Sequence, residues 1–450
     1  MTGQQNKPHR IIIKWLLKRV IYLKKEWNQF RDRLTLQPCS RFLLHPWHGK
    51  RCPYEAILFY NFAGRVLLGM VLLRDLLKER RRREIFIEGF GGEEKGDELS
   101  LEKKGNFKVL WPHSPFLNDG GANIPKKWWG KLSSAYRLAK KRESDLNRSE
   151  EWERIATLMR NRFLDRTDAV NAAEVRGFRS DPVIYREIFN DQFRYVDKSV
   201  GYLKNYLEGV DLVLSFHRLA AVVDPALLAA VSESGAGGVK CIRYRGQRLS
   251  EKLLYHTLVC DDILKHVPSK EGREVIVDIG AGYGGFDRLL KLYRQNSCLI
   301  LVDLPETLIL CGYYLRYNFP DARIALVDDL ENLEEWREIY EHFDFVVMSP
   351  EYLTDLPPSS VDLVLNTASM GFMKRAYVDY YLKEIERMLK EGGYFYSLNK
   401  TENDRWGIGM FDWKFRGGWL TRSLRYDNRF DYPQWLGQKV SKNLTTGDER

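Results

Sequence analysis

The sequence predicts an α/β protein: a Rossmann-like, doubly wound parallel sheet over residues 266–450, preceded by a mainly helical amino-terminal portion. After Glu274, apolar β-branched runs alternate with helical spacing, as strands buried on both faces of a parallel sheet require. The first run, Val275-Ile276-Val277, enters Asp278-Ile279-Gly280-Ala281-Gly282-Tyr283-Gly284-Gly285, and Phe286, Leu289, Leu290 and Tyr293 then recur at helical spacing. The glycines therefore occupy a strand-to-helix turn. A second run, residues 298–302, ends in Asp303, 23 positions after Gly280.

Upstream of this sheet the signals are weaker. At 450 residues the chain allows two or three domains, and we divide it into 1–149, basic and mainly helical, 150–265, a helical segment covering the active site, and 266–450. Its 44% hydrophobic and 29% charged residues exclude a disordered chain. A net charge of +10 favours anionic partners. Six cysteines form no C-x-x-C pair, so neither a disulfide framework nor a zinc site is indicated. The start resembles no secretory signal, and a cytoplasmic location is expected.

Residues 11–30 carry Ile12, Leu16, Val20, Leu23, Trp27 and Phe30 at helical spacing among lysines. Such a basic amphipathic helix suits either packing on its own domain or peripheral contact with an anionic inner membrane face. The apolar stretch 54–73 holds Arg65 at its centre, which argues against a membrane span. Residues 89–104 read as a linker. Trp111, Trp128 and Trp129 suit a core better than base stacking, so nucleic acid is a disfavoured partner.

Glycines at a strand end let a nucleotide-like ligand approach the backbone, and an acidic residue at the next strand end can accept both ribose hydroxyls. Gly280, Gly282 and Gly285 also satisfy G-x-G-x-x-G, so spacing alone leaves NAD and S-adenosylmethionine both open. Three features lean toward the methyl donor. The Asp278 carboxylate would repel a pyrophosphate but neutralise a methionine ammonium. A helix with Val378, Tyr381, Leu382, Ile385, Met388 and Leu389 closes on Gly392-Gly393 as its C-cap before strand 394–398. Strands 345–348 and 361–365 are too close for a crossover helix. Residues 324–327 could compete as the third strand, but we assign that place to 345–348 and read 324–327 as an insertion.

VIVDIGAGYGGFDRLL, VDLPETLILCGYYL, VDLVLNTASMGFM and YFYSLNK, in that order, resemble the sugar O-methyltransferase family of class I S-adenosylmethionine-dependent enzymes. The resemblance covers roughly residues 150–450 and implies methylation of a sugar hydroxyl in glycan or polysaccharide assembly. The candidate cofactor contacts are Asp278, Gly280, Ala281, Gly282, Gly284, Asp303, Leu304, Ser349, Glu351 and Asn366.

A sugar hydroxyl is a poor acid, so transfer needs a base or strong acceptor beside it. His217 and His256 are the candidate bases, with Asn366 as a positioning group. Thr367, Ser369, Met370 and Asn399 should face the acceptor, and Arg243 and Arg245 could bind a phosphorylated or lipid-linked sugar. A divalent metal through Asp362, Glu402 or Asp404 is conceivable, but no spacing marks a site. The rivals are a nucleic-acid methyltransferase, a non-catalytic adaptor and, more distantly, an NAD dehydrogenase. Asn366-Thr367-Ala368-Ser369 lacks the Pro-Pro-aromatic continuation that amine methylation uses.

Overall fold

The computed structural model describes residues 108–110, 124–143, 150–180, 184, 212, 215–239, 241–244, 246–331, 336–399, 409–427 and 432–441. The expected helix at 11–30, the apolar stretch 54–73 and the linker 89–104 lie outside the described residues. In chain order the elements begin with β1 (Lys108–Leu110), α1 (Lys126–Arg142), α2 (Glu150–Phe163), α3 (Ala172–Arg176) and α4 (Pro225–Ala230). Next come β2 (Cys241–Tyr244) and β3 (Gln247–Leu249), which join β1 in a small antiparallel sheet. The expectation of a mainly helical 150–265 segment misses this hairpin. Strands of four and three residues are too short to show a period of two.

The main sheet is built from β4 (Glu274–Ile279), β5 (Ser297–Val302), β6 (Ile324–Leu326), β7 (Phe345–Met348), β8 (Val361–Thr367), β9 (Leu389–Leu398), β10 (Gly418–Asp427) and β11 (Tyr432–Val440). Interleaved with these strands are α5 (Glu251–His266) before β4, α6 (Gly285–Tyr293), α7 (Pro305–Asn318), α8 (Val327–Leu330), α9 (Trp336–His342) and α10 (Arg375–Met388). The strand order is β10-β11-β9-β8-β4-β5-β7-β6. Neighbours from β9 through β6 are parallel, and β11 runs antiparallel to β9. This is a Rossmann-like α/β architecture. Every residue of β4, β5 and β7 is buried, which is why these strands read as unbroken apolar runs. Because β4 pairs with β5 on one side and β8 on the other, the sheet's winding reverses there, and a ligand crevice is expected beyond those carboxyl ends.

β7 lies directly beside β5, from Leu299 opposite Phe345 to Val302 opposite Met348, and β6 pairs outside it. The third place in the sheet therefore belongs to 345–348, and 324–326 is an added edge strand. The Gly392-Gly393 pair is a correction. α10 stops at Met388 and β9 starts at Leu389, so these glycines lie inside the strand. They form a bulge: Val361 faces Leu389 whereas Leu363 faces Tyr394. Gly392 supplies the left-handed φ of +78°. At the far edge, β10 and β11 present Trp419 and Trp435, whose rings pack with Phe415 and Phe395. Among the described residues no helix is long and apolar enough to cross a membrane.

Candidate active site

β4 ends at Asp278-Ile279, and the chain turns through Gly280, Gly282 and Gly284 at φ of +80°, +60° and +80°. An L side chain adopts that region only at about 1–2 kcal/mol per residue. The turn brings the Gly282 N–H to Asp303 at the end of β5, donating to Oδ2 at 2.7 Å, while the Leu304 N–H donates to Oδ1 at 2.7 Å. Two amides thus fix the carboxylate, and each oxygen keeps acceptor capacity for a ribose diol. Burial pushes the Asp303 carboxyl up, and the Gly282 and Leu304 amides oppose that rise. Ala281 is buried within the turn, and Leu304 is half-buried.

Asp278 is 1% exposed and Asp287, in the first turn of α6, is 0% exposed. Burial raises the Asp278 carboxyl well above its usual range, and Asp287 and Asp303 add to the effect. The Asp287 carboxyl is pushed up by burial to about 7. Asp287 was not singled out from the sequence. The signal was available, since it falls on the face that Tyr283, Phe286 and Leu290 bury, where a charged residue is out of place.

The end of β8 is tied down internally. Asn366 Nδ2 donates to the Ile279 carbonyl at 2.6 Å and to Ser369 Oγ at 2.5 Å. Its Oδ1 accepts from Met370 N–H at 3.3 Å and Asn399 Nδ2 at 2.7 Å. Asn399 in turn donates to Ser397 Oγ at 2.9 Å and accepts from Gly371 N–H at 3.1 Å. Both asparagines are 0% exposed. Asn366, expected beside cofactor or acceptor, and Asn399, expected at the acceptor, here join the ends of β4, β8 and β9 through their amides. Ser369 and Met370 are buried in the same network, leaving Thr367 and Ala368 half-buried at the strand end.

α2 spans the carboxyl ends of the sheet. At one end Trp152 Nε1 donates to the Phe372 carbonyl after β8, at 3.2 Å. At the other, Arg160 Nη1 meets Glu306 Oε1 in the first turn of α7, at 3.2 Å, and Lys140 from α1 lies 3.6 Å from the same oxygen. Segments far apart in sequence are therefore strapped together, the start of α7 and the turn after β8 both being fastened to α2.

A second anchor sits over Tyr283 of the turn. The Arg179 guanidinium lies 5.0 Å from its ring centroid and pairs with Glu233 at 3.1 Å, both side chains being buried. Burial alone would raise the Glu233 carboxyl, but Arg179 outweighs it and holds the group down to about 2.

The remaining candidates disperse. His256 is buried on α5, its ring 5.8 Å from that of Phe286, and burial pushes its pKa well below the usual value. His217 is exposed, and its Nε2 hydrogen-bonds the Tyr244 hydroxyl at 2.7 Å. Ser349, at the end of β7, is fully buried with no partner for its hydroxyl, and Glu351 is half-buried in the following 3-10 turn. Arg243 lies on β2, where its side chain is outside the description, and Arg245 lies outside the described residues. Asp362 pairs with Lys270 and Lys390 instead of offering itself to a metal. Glu402 and Asp404 lie outside the described residues. Among the described residues no group of three His, Cys, Asp or Glu side chains is placed to hold a metal ion.

Residues 277–397 match the family model described as a methyltransferase domain. The match runs from β4 into β9, so it contains the glycine turn, Asp303 and the end of β8. No curated protein matches the sequence. Among solved structures, a geranyl diphosphate methyltransferase in complex with GPP and sinefungin is 16% identical, with 33% of this chain and 47% of that one covered and a TM-score of 0.24. Phosphoethanolamine N-methyltransferase 2 of Haemonchus contortus, in complex with S-adenosyl-L-methionine, is 20% identical over 30% of this chain and 26% of that one, with a TM-score of 0.21. A SAM-dependent methyltransferase from Aquifex aeolicus is 16% identical over 40% of this chain and 89% of that one, with a TM-score of 0.26. The chain thus spans less than half the length of the first two. Likenesses this distant carry no weight here. The matched segment is described as a methyltransferase domain, and it holds both the glycine turn and the Asp303 carboxylate.

Proposed function

We propose that this methyltransferase transfers the methyl group of S-adenosylmethionine to a sugar hydroxyl in glycan or polysaccharide biosynthesis, the sugar being phosphorylated or lipid-linked. The reading is supported by the resemblance of VDLPETL and NTASM to sugar O-methyltransferases. The observation that favours oxygen over an exocyclic amine as acceptor is the state of Asn366. All four hydrogen-bonding positions of its amide are spent inside the protein, and no Pro-Pro-aromatic follows it.

The residues present fit the cofactor. Asp303 would hold its ribose hydroxyls, the turn through Gly282 would pass beside its methionine portion, and Asp278 would offset the ammonium charge. When bound, the cofactor supplies an electrophilic methyl group. The chain must then align the acceptor oxygen with it, exclude water and accept the hydroxyl proton. The strap formed by α2 suits the exclusion of water. His256, kept neutral by burial, and His217, bonded to Tyr244, are the bases we carry forward. Substitution of the true base should lower kcat with KM little changed and alter the pH profile.

The same proposal keeps the chain in the cytoplasm, with residues 11–30 resting on an anionic membrane face. Sedimentation with anionic vesicles tests that part.

A tritiated-methyl assay with the purified full chain, run over free sugars, sugar nucleotides, lipid-linked glycans and RNA, tests the substrate class. Label in a sugar fraction is expected. Label in RNA alone overturns the proposal, and cofactor binding with no label in any acceptor from a cell extract favours the adaptor reading.

A further inference from the structure

We infer that Tyr283 is a positioning residue for the cofactor turn, and that Phe178 and Arg179, which lie outside the matched residues 277–397, hold it in place. The inference rests on the reading that this turn receives S-adenosylmethionine, and it is independent of the sugar.

Tyr283 stands between Gly282 and Gly284, whose φ angles are +60° and +80°. Glycine has more backbone states open to it than any other residue, so a turn built from it does not keep one shape unaided. The tyrosine ring supplies the restraint. It is 3% exposed and lies folded over Gly285, where an added Cβ would fall 2.5 Å from it. Phe178 tilts against the ring with centroids 5.5 Å apart, and Tyr314 of α7 meets it edge to face at 4.9 Å. The Arg179 guanidinium lies 5.0 Å from its centroid. Tilted and edge-on rings and a nearby cation all suit the charge distribution of an aromatic ring, and more strongly out of water. A ring enclosed in this way acts through the backbone on either side of it. There the Gly282 N–H donates to Asp303, and the Gly284 N–H donates to the Ala281 carbonyl at 3.1 Å.

The cage is itself fixed from behind. The Arg179 N–H donates to the Gly237 carbonyl at 2.8 Å, and its guanidinium pairs with Glu233. Glu233 also accepts from the Ser234 N–H at 3.0 Å and from the hydroxyl of Ser250, the residue that caps α5. Gly237, at φ of +78°, permits the approach: a Cβ there would fall 2.6 Å from the Phe178 ring and 2.8 Å from Arg179 Cγ. Arg288 of α6 donates to the Ser232 carbonyl at 2.8 Å and so ties the same loop to the helix that follows the turn. Residues 178–179 and 232–237 thus set the shape of a turn that lies a hundred and forty-four positions or fewer away in sequence, and the site is completed from outside the matched domain.

The test combines calorimetry of the full chain with S-adenosylmethionine, amide hydrogen exchange of the cofactor-free protein, and urea titration. In the free wild type the Gly282 and Gly284 amides should be protected from exchange. Tyr283→Leu keeps an apolar side chain but offers no ring. It should quicken exchange at both amides and weaken S-adenosylmethionine by roughly 10-fold, the factor that ordering one backbone residue is worth. Tyr283→Phe keeps the ring and should restore both readings. Arg179→Met combined with Glu233→Gln removes the cation without stranding a carboxylate, and should move exchange and affinity in the same direction as Tyr283→Leu.

Wild-type affinity and exchange in folded Tyr283→Leu and in the double variant, even with lower urea stability, would make the cage a packing feature alone and overturn the inference. Unprotected Gly282 and Gly284 amides in the wild type overturn it whether or not any variant folds. Tyr283→Phe as weak as Tyr283→Leu would move the restraint from the ring to the hydroxyl and overturn the ring's role. A wild type with protected turn amides that binds no S-adenosylmethionine removes the cofactor reading, and this inference with it.

Discussion

Gly280→Ala separates the two demands the turn places on that position. The backbone there has φ of +80°, which costs an alanine about 1–2 kcal/mol. A Cβ at Gly280 would also fall closer than 3.0 Å to Ser369 Oγ and Cβ, and Ser369 cannot swing away without losing its bonds to the Ile279 carbonyl and the Asn366 amide. Overpacking of that kind costs a further ~1–3 kcal/mol. Gly280→Ala should therefore lower unfolding stability by about 2–5 kcal/mol in urea titrations. Ser369→Gly alone removes one partner of buried Asn366 and should cost about 1–3 kcal/mol. In the double variant the overlap is gone, so the sum of the single losses should exceed the combined loss by about 1–3 kcal/mol. Strictly additive losses would refute the claim that Ser369 is what excludes a side chain at Gly280, leaving only the φ term.

Three further outcomes follow from the site. Asp303→Ala should weaken S-adenosylmethionine by roughly 10–100-fold in calorimetry, since charge-assisted hydrogen bonds of about 1.5–3 kcal/mol are lost; unchanged affinity would remove Asp303 from the site. Glu233, held at about 2 by Arg179 against a normal value of 4.5, gives stability that is complete above pH 4.5 and lost as pH falls through 2. That amounts to about 3 kcal/mol. Arg179→Met should remove the loss of stability between pH 4.5 and 2 in acid unfolding followed by circular dichroism, turn it toward a gain on acidification as the stranded buried carboxylate takes up a proton, and cost about 3–5 kcal/mol near neutrality. Trp152→Phe removes the bond from α2 to the Phe372 carbonyl but keeps the ring, so amide exchange in α2 should quicken with global stability changed by no more than about 1.5 kcal/mol; unaltered exchange would mean that this bond does not hold the strap.

The parts of the site that were legible in the sequence are those written in contiguous residues. Val275 to Gly285 carries strand, turn and helix start in one stretch, and Asp303 follows the next apolar run, so local periodicity and glycine chemistry suffice to find both. The place of 345–348 in the sheet was legible for a similar reason: its connection to β8 is too short for a helical crossover. Asn366 shows where such reasoning stops. An asparagine at a strand end looks available to a ligand, and only the approach of β4 and β9 shows its amide consumed. Gly392-Gly393 failed for a related reason, because a helix stop and a strand bulge ask for the same residues.

By itself, then, the sequence determined the doubly wound sheet, the glycine turn and the carboxylate at the end of the next strand, since each depends on neighbours within about one strand and one turn. The tertiary structure alone decided that Asp278 and Asp287 are both buried beneath that turn, that α2 fastens to both Glu306 and Phe372, and that Arg179 and Glu233 close over Tyr283. Each of those arrangements depends on how separate elements pack, and burial, which sets the charge of these groups, is a property of that packing.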